Sequence, residues 1–212
     1  MIQDNELALI IGRRGCGKST LSRALAATFH REIVFDRMKE TKDGIIFRNY
    51  HQFSRWWNDH HGDENFKAVF HLDSARHSEA FHQENDEILR LIYETGLRKT
   101  DQGLDHPTTL LLFEELQFYC TPLSILPNLK EAILTGRHAK ISVIANTQRP
   151  ANIHGDFKGN AHHVFAGQLI HKADIDYLKG SLLAEHATVC FSLPAFSFAY
   201  RSHEMPFTIV KL

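Results

Sequence analysis

Cysteine, long apolar runs and net charge are all scarce in this chain. Its three cysteines, Cys16, Cys120 and Cys190, are far apart, odd in number and never in a C-x-x-C pair. That argues against both a disulfide framework and a zinc site. Cys16, set among loop amides, is expected to be reactive. No segment approaches the roughly 20 apolar residues that a membrane helix requires, so no transmembrane segment is expected. The start, Met1-Ile2-Gln3-Asp4-Asn5-Glu6, lacks a basic-then-apolar signal region. A soluble, cytoplasmic chain is the expectation. With 24 Lys and Arg against 25 Asp and Glu, the formal net charge is −1. Nucleic acid is neither supported nor excluded, and any contact must come from a local basic surface or a ring interior. Lys42, Arg48 and Lys158 fall in expected loops, and each reads first as a solvated surface charge. Repeats, low-complexity tracts and Pro/Gly/Ser linkers are also missing, which leaves a single domain over residues 1–212. Histidine is abundant, with 15 residues and the pairs His60-His61 and His162-His163. Neither an i,i+4 His pair with a general-base Glu nor a Cys/His ligand set accompanies them, so dispersed histidines are expected rather than a metal site.

What is present is an alternation of short apolar runs and helical periodicities. Leu7–Ile11, Arg31–Asp36, Lys67–Leu72, Thr108–Phe113, Ile141–Ala145 and His163–Gly167 read as strands, the second and third closing on polar residues such as Asp36 and His71 as parallel strands feeding loops do. Helices are expected over 19–27, 78–99 and 126–134, and Trp56-Trp57 reads as a helix packing its aromatics into the core. The alternation predicts an α/β fold with a mainly parallel central sheet covered on both faces. Thr188–Leu193, Phe196–Arg201 and Phe207–Val210 read as short strands, antiparallel at the sheet edge.

After the first strand, residues 12–19 read Gly12-Arg13-Arg14-Gly15-Cys16-Gly17-Lys18-Ser19, a complete G-x-x-x-x-G-K-[ST] phosphate loop. Its glycines let successive N–H groups converge on phosphate oxygens. Lys18 reaches the β- and γ-phosphates, Ser19 coordinates Mg²⁺, and the helix opening at Ser19-Thr20 turns its positive end toward the anion. ATP with Mg²⁺ is the expected ligand, with Gly12 to Thr20 as its cradle. Arg13 and Arg14 have no further role assigned.

Leu110-Leu111-Leu112-Phe113-Glu114-Glu115 is an apolar strand ending in two carboxylates. Such a pair suits an ATPase, the first acid holding Mg²⁺ through its water shell and the second deprotonating the attacking water. Glu114 is therefore expected at the metal and Glu115 as general base, although two acids also suit the start of a helix at Leu116-Gln117-Phe118-Tyr119. Gln148, at the carboxyl end of the run from Ile141, can donate to a γ-phosphate oxygen and accept from water, as a sensor of hydrolysis does.

The phosphate loop, the Leu-Leu-Leu-Phe-Glu-Glu strand and Thr135-Gly136-Arg137-His138 followed by Thr147-Gln148-Arg149-Pro150 together resemble the FtsK/HerA superfamily of DNA-pumping ATPases. Within it the chain is most similar to genome-packaging ATPases of icosahedral viruses with an internal membrane. The resemblance implies a RecA-like (ASCE) P-loop fold and a homo-oligomeric ring, usually a hexamer, with ATP at subunit interfaces. It implies double-stranded DNA as the translocated partner, capsid vertex or portal proteins as further partners, and the host cytoplasm or a virion vertex as the location. Arg137 matches the family's arginine finger, which would reach the γ-phosphate held by a neighbouring subunit. Glu114 stands where the family usually has Asp. Three other readings compete: a relative working in conjugation or phage assembly, a small-molecule or nucleoside kinase, and a non-hydrolysing switch or scaffold.

Overall fold

The computed structural model describes residues 2–73 and 78–212. Eleven strands are present among them: β1 (Leu7–Ile11), β2 (Arg31–Phe35), β3 (Ile45–Phe47), β4 (Phe66–Phe70), β5 (Thr109–Phe113), β6 (Cys120–Thr121), β7 (Ser124–Ile125), β8 (Ile141–Thr147), β9 (His163–Ala166), β10 (Ser197–Ser202) and β11 (Thr208–Lys211). The helices are α1 (Lys18–Ala26), α2 (Tyr50–His60), α3 (Glu79–Asp101), α4 (Pro127–Thr135), α5 (Gly155–Asn160) and α6 (Lys172–Leu178). Nine strands form one sheet in the order β11-β10-β9-β1-β8-β5-β2-β4-β3, and β6 and β7 form a separate hairpin. From β9 to β3 every pairing is parallel. Beyond β9, β10 and β11 run antiparallel, as expected for the sheet edge.

The central strands are buried on both faces, which is why they read as unbroken apolar runs rather than alternating ones. Leu7, Leu9, Ile11, Leu111 and Phe113 face one core, where α2 to α6 contribute Phe53, Trp57, Phe81, Ile88, Leu129, Phe157 and Leu178. Ala8, Ile10, Leu110 and Leu112 face a smaller core closed by α1 through Leu21 and Ala26. Trp57 is buried with its indole N–H donating to Thr95 Oγ1 at 3.0 Å, and Trp56 packs half-buried against the same core. The pair is thus structural, as the sequence suggested. On the α1 face the aligned Glu32 and Lys67 form an ion pair at 3.0 Å, and Asp43 joins Lys67 at 2.8 Å.

One expected strand is absent. Residues 188–193 lie largely in a 3₁₀ helix, Ala184–Phe191, instead. Ala187, Cys190 and Leu193 are buried, and their spacing of three is the 3₁₀ period rather than the strand period. The predicted helix after Glu115 is a single 3₁₀ turn, Leu116–Phe118. β3, the β6–β7 hairpin, α5 and α6 are too short to carry a periodic signal and were not anticipated.

Candidate nucleotide site

The parallel register of β1, β8 and β5 decides where the motifs meet. Ile11 aligns with Thr147, and Ala145 with Phe113, so the phosphate loop, Gln148 and the Glu114-Glu115 pair leave the sheet at one edge. At the carboxyl edge of a parallel sheet, loops rather than strands shape the cavity, and ligands bind there. A cleft of about 480 Å³ opens at this edge, lined by Lys18, Ser19, Glu114, Glu115, Gln148 and Asp36 among others.

The loop is fixed at both ends. Gly12 N donates to Thr147 O at 3.2 Å and Arg13 N to Gln168 O at 2.9 Å. Gly17 adopts φ +101° as the residue before α1, a conformation in which any side chain is strained. Lys18 is buried, and its Nζ donates to Arg13 O at 3.3 Å. Thr20 and Arg14 line the cleft. Gly12 and Cys16 lie beneath the loop, where a Cβ on Gly12 would come 2.5 Å from the Cys16 sulfur. The environment of Cys16 does not favour the expected reactivity: the side chain is 1% exposed, and burial pushes its thiol up despite the opposing charges of Lys18 and Arg13. Arg13 turns outward. It lines a neighbouring cleft of about 310 Å³ with Arg14, Gln148, Arg149 and His171, where buried Asp174 holds Arg149 Nε at 3.2 Å.

The two carboxylates are held differently. Glu114 Oε2 accepts from Ser19 Oγ at 3.2 Å and from Asn146 Nδ2 at 3.0 Å. Burial raises its pKa against those two hydrogen bonds, leaving a desolvated acid beside a hydroxyl. Such a pair fits a hard divalent cation, which takes oxygen ligands and would restore the carboxylate's charge. Glu115 is instead gripped by amides: Gln148 Nε2 donates to Oε1 at 2.5 Å and Gln117 Nε2 to Oε2 at 2.6 Å. Gln117 is oriented in turn by Thr147, whose hydroxyl donates to its Oε1 at 3.1 Å. Asp36, 1% exposed, accepts from Met38 N at 3.0 Å and Thr41 N at 2.6 Å, shaping the far wall of the cleft. Gln117, Asn146, Asp36 and Phe196 were not singled out from sequence. Asp36 and Asn146 do carry a legible signal, a polar residue at the end of a buried strand, whereas Gln117 and Phe196 do not.

Arg137 lies elsewhere. It belongs to the 3₁₀ turn Gly136–Ala139, before β8, so the seven residues of that strand separate it from Gln148, about 20 Å at strand rise. Its Nε lies 3.3 Å from His138 Nε2, and it lines a cavity of about 330 Å³ with Asn5, Glu6, His162 and His203 on the opposite edge of the sheet. Of the basic candidates, Arg48 pairs with Asp73 at 3.5 Å, Lys42 Nζ donates to Lys39 O, and Lys158 sits 4.8 Å over the Tyr177 ring. Among the described residues no set of three or more His, Cys, Asp and Glu is gathered as metal ligands, and no helix is long and apolar enough to cross a membrane.

By sequence the chain matches no protein-family model and no curated protein. By structure it superposes on the genome-packaging NTPase B204 of Sulfolobus turreted icosahedral virus 2 in complex with ATP-γ-S. The TM-score is 0.72 at 17% identity, over 97% of this chain and 96% of that one. The fold is that of a P-loop NTPase. The pCW3 conjugation coupling protein TcpA with ATP-γ-S aligns at TM-score 0.66 and 12% identity, over 98% of this chain and 60% of that one. VirB4 of Thermoanaerobacter pseudethanolicus aligns at 0.65 and 9%, over 97% and 88%. A genome-packaging NTPase and a conjugation coupling protein thus share this architecture, in keeping with the motif resemblance.

Proposed function

We propose that this chain is a FtsK/HerA-type ATPase domain that hydrolyses ATP to translocate double-stranded DNA, packaging a viral genome into a preformed capsid. The observation that carries the reading is the Glu115 carboxylate held between Gln117 and Gln148 beside a complete phosphate loop. In this reading the loop amides and Lys18 bind the phosphates. Glu115 takes a proton from the attacking water while Gln148, in contact with both the base and the cleft, responds to loss of the γ-phosphate. Ser19 and Glu114 would hold Mg²⁺, whose charge would offset that developing on the phosphates. Arg137 is too far from its own cleft to act there, so it serves a neighbouring subunit in a ring. The near end-to-end match with the genome-packaging NTPase B204 supports packaging, and conjugative transfer remains the alternative, because VirB4 is also matched over 88% of its length.

The test is the ATPase rate with and without duplex DNA at several salt concentrations, alongside native mass. Salt-sensitive stimulation by the duplex in an oligomer is expected, because phosphate contacts release counterions. Stimulation by a nucleoside instead of DNA would establish the kinase reading. Mixing Arg137→Ala with Lys18→Ala subunits should recover part of the activity each lacks; no recovery in intact rings would overturn the trans role.

A further inference from the structure

Phe196 combines three properties that ordinary packing does not explain. It is 47% exposed, and among the described residues it is the aromatic side chain lining the nucleotide cleft. Its backbone is left-handed, φ +58°, a costly conformation for a bulky residue that clusters at functional sites. The surrounding chain imposes that conformation: Phe196 N donates to Cys16 O at 2.9 Å and its carbonyl accepts from Leu212 N at 3.0 Å. The result is a ring pressed against the phosphate loop, so close that a Cβ on Gly17 would lie 2.8 Å from Phe196 Cδ1.

Strand order gives the ring its place relative to a bound nucleotide. Glu114, Glu115 and Gln148 follow β5 and β8, on one side of β1, whereas Phe196 immediately precedes β10, on the other side. A triphosphate whose γ-end meets Glu115 and Gln148 therefore extends its nucleoside toward Phe196. The carboxylate and amide side chains that line the cleft, Asp36, Glu40, Glu114, Glu115 and Gln148, all follow β2, β5 or β8 on the γ-phosphate side of β1, away from the base. We infer that Phe196 is the platform on which the nucleotide's base stacks, so that the base is recognised by its face and ATP and GTP are accepted alike. This rests on the nucleotide-binding reading of the cleft and adds to it how the base is held.

The experiment is equilibrium binding of MgATP, MgGTP and magnesium tripolyphosphate, the last being a probe without a base, to the full chain and to Phe196→Ala, Phe196→Tyr and Phe196→Gly. Phe196→Ala is expected to weaken MgATP and MgGTP equally, by about five- to a hundredfold, the range that base–aromatic stacking supports. Its affinity for tripolyphosphate should match wild type, and Phe196→Tyr should restore ATP binding. Phe196→Gly relieves the left-handed strain, so its melting temperature should equal or exceed that of wild type while ATP binding stays weak. A ring that only shapes the loop would weaken ATP and tripolyphosphate together, and that result overturns the inference, as does unchanged ATP binding in Phe196→Ala. Failure of the wild type to bind MgATP would instead overturn the ATPase reading itself.

Discussion

Replacing Glu115 by Gln tests the site most directly, because the surroundings of that carboxylate define what the substitution can disturb. Both of its oxygens accept an amide N–H, one from Gln148 and one from Gln117. A glutamine at 115 has one acceptor oxygen and a donor NH₂, so one neighbouring amide must turn over. Gln117 is pinned by the Thr147 hydroxyl, which leaves Gln148 to rotate. The structural penalty is therefore on the order of one hydrogen bond, about 0.5–1.5 kcal/mol. The catalytic penalty is larger. Loss of a positioned general base costs about 10²–10⁴ in rate, or roughly 2.7–5.4 kcal/mol at 1.36 kcal/mol per decade. Steady-state phosphate release should fall by that factor, while calorimetry shows MgATP bound with near wild-type affinity, because the phosphate loop is not touched. Glu114→Gln provides the contrast. Its amide oxygen can still accept from Ser19 and Asn146, so it should fold normally but require more Mg²⁺ for the same rate. Wild-type turnover in Glu115→Gln, with Glu114→Gln inactive, would refute this division of labour and move the base to Glu114.

Two further predictions concern the rest of the molecule. In α3, Gly96 allows contact with the turn that carries Arg137, and a Cβ there would lie 2.2 Å from Ala139 O; Gly96→Ala should cost about 1–3 kcal/mol by overpacking in denaturant unfolding, and unchanged stability would show that the turn yields freely. Burial holds the pKa values of His71 and His106 below the ordinary histidine value, with nearby Lys39, Lys42 and Arg48 or Lys140 and Lys99 adding to the shift and Asp36 opposing it at His71. As pH falls through about 6.5 the unfolded chain takes up protons that the folded one refuses, so each should remove up to about 1.4 kcal/mol of stability per pH unit until its folded pKa is reached. Melting temperature from pH 7.5 to 5 reads this directly, and a flat profile, or restoration of nothing by His106→Gln, would refute it.

How far the sequence could be read depended on whether each feature was local. The phosphate loop, the Glu114-Glu115 strand end and the parallel core were legible because each is encoded in a contiguous run: an apolar strand, a turn that glycine permits and a polar exit. Runs without a periodic signature, such as Ile45–Phe47, gave nothing, and Thr188–Leu193 misled because its apolar residues satisfy a period of three as readily as two. The sequence by itself thus determined which groups exist for chemistry and that they leave strands at polar ends. Only the tertiary structure decided who meets whom, because strand order is set by long-range pairing that no local pattern records. By setting β8 beside β5 it closed Gln148 onto Glu115, and by setting β1 beside β8 it brought the phosphate loop to the same edge. The return of the chain through β10 and β11 laid Phe196 over Gly17, a contact across nearly the whole length of the chain.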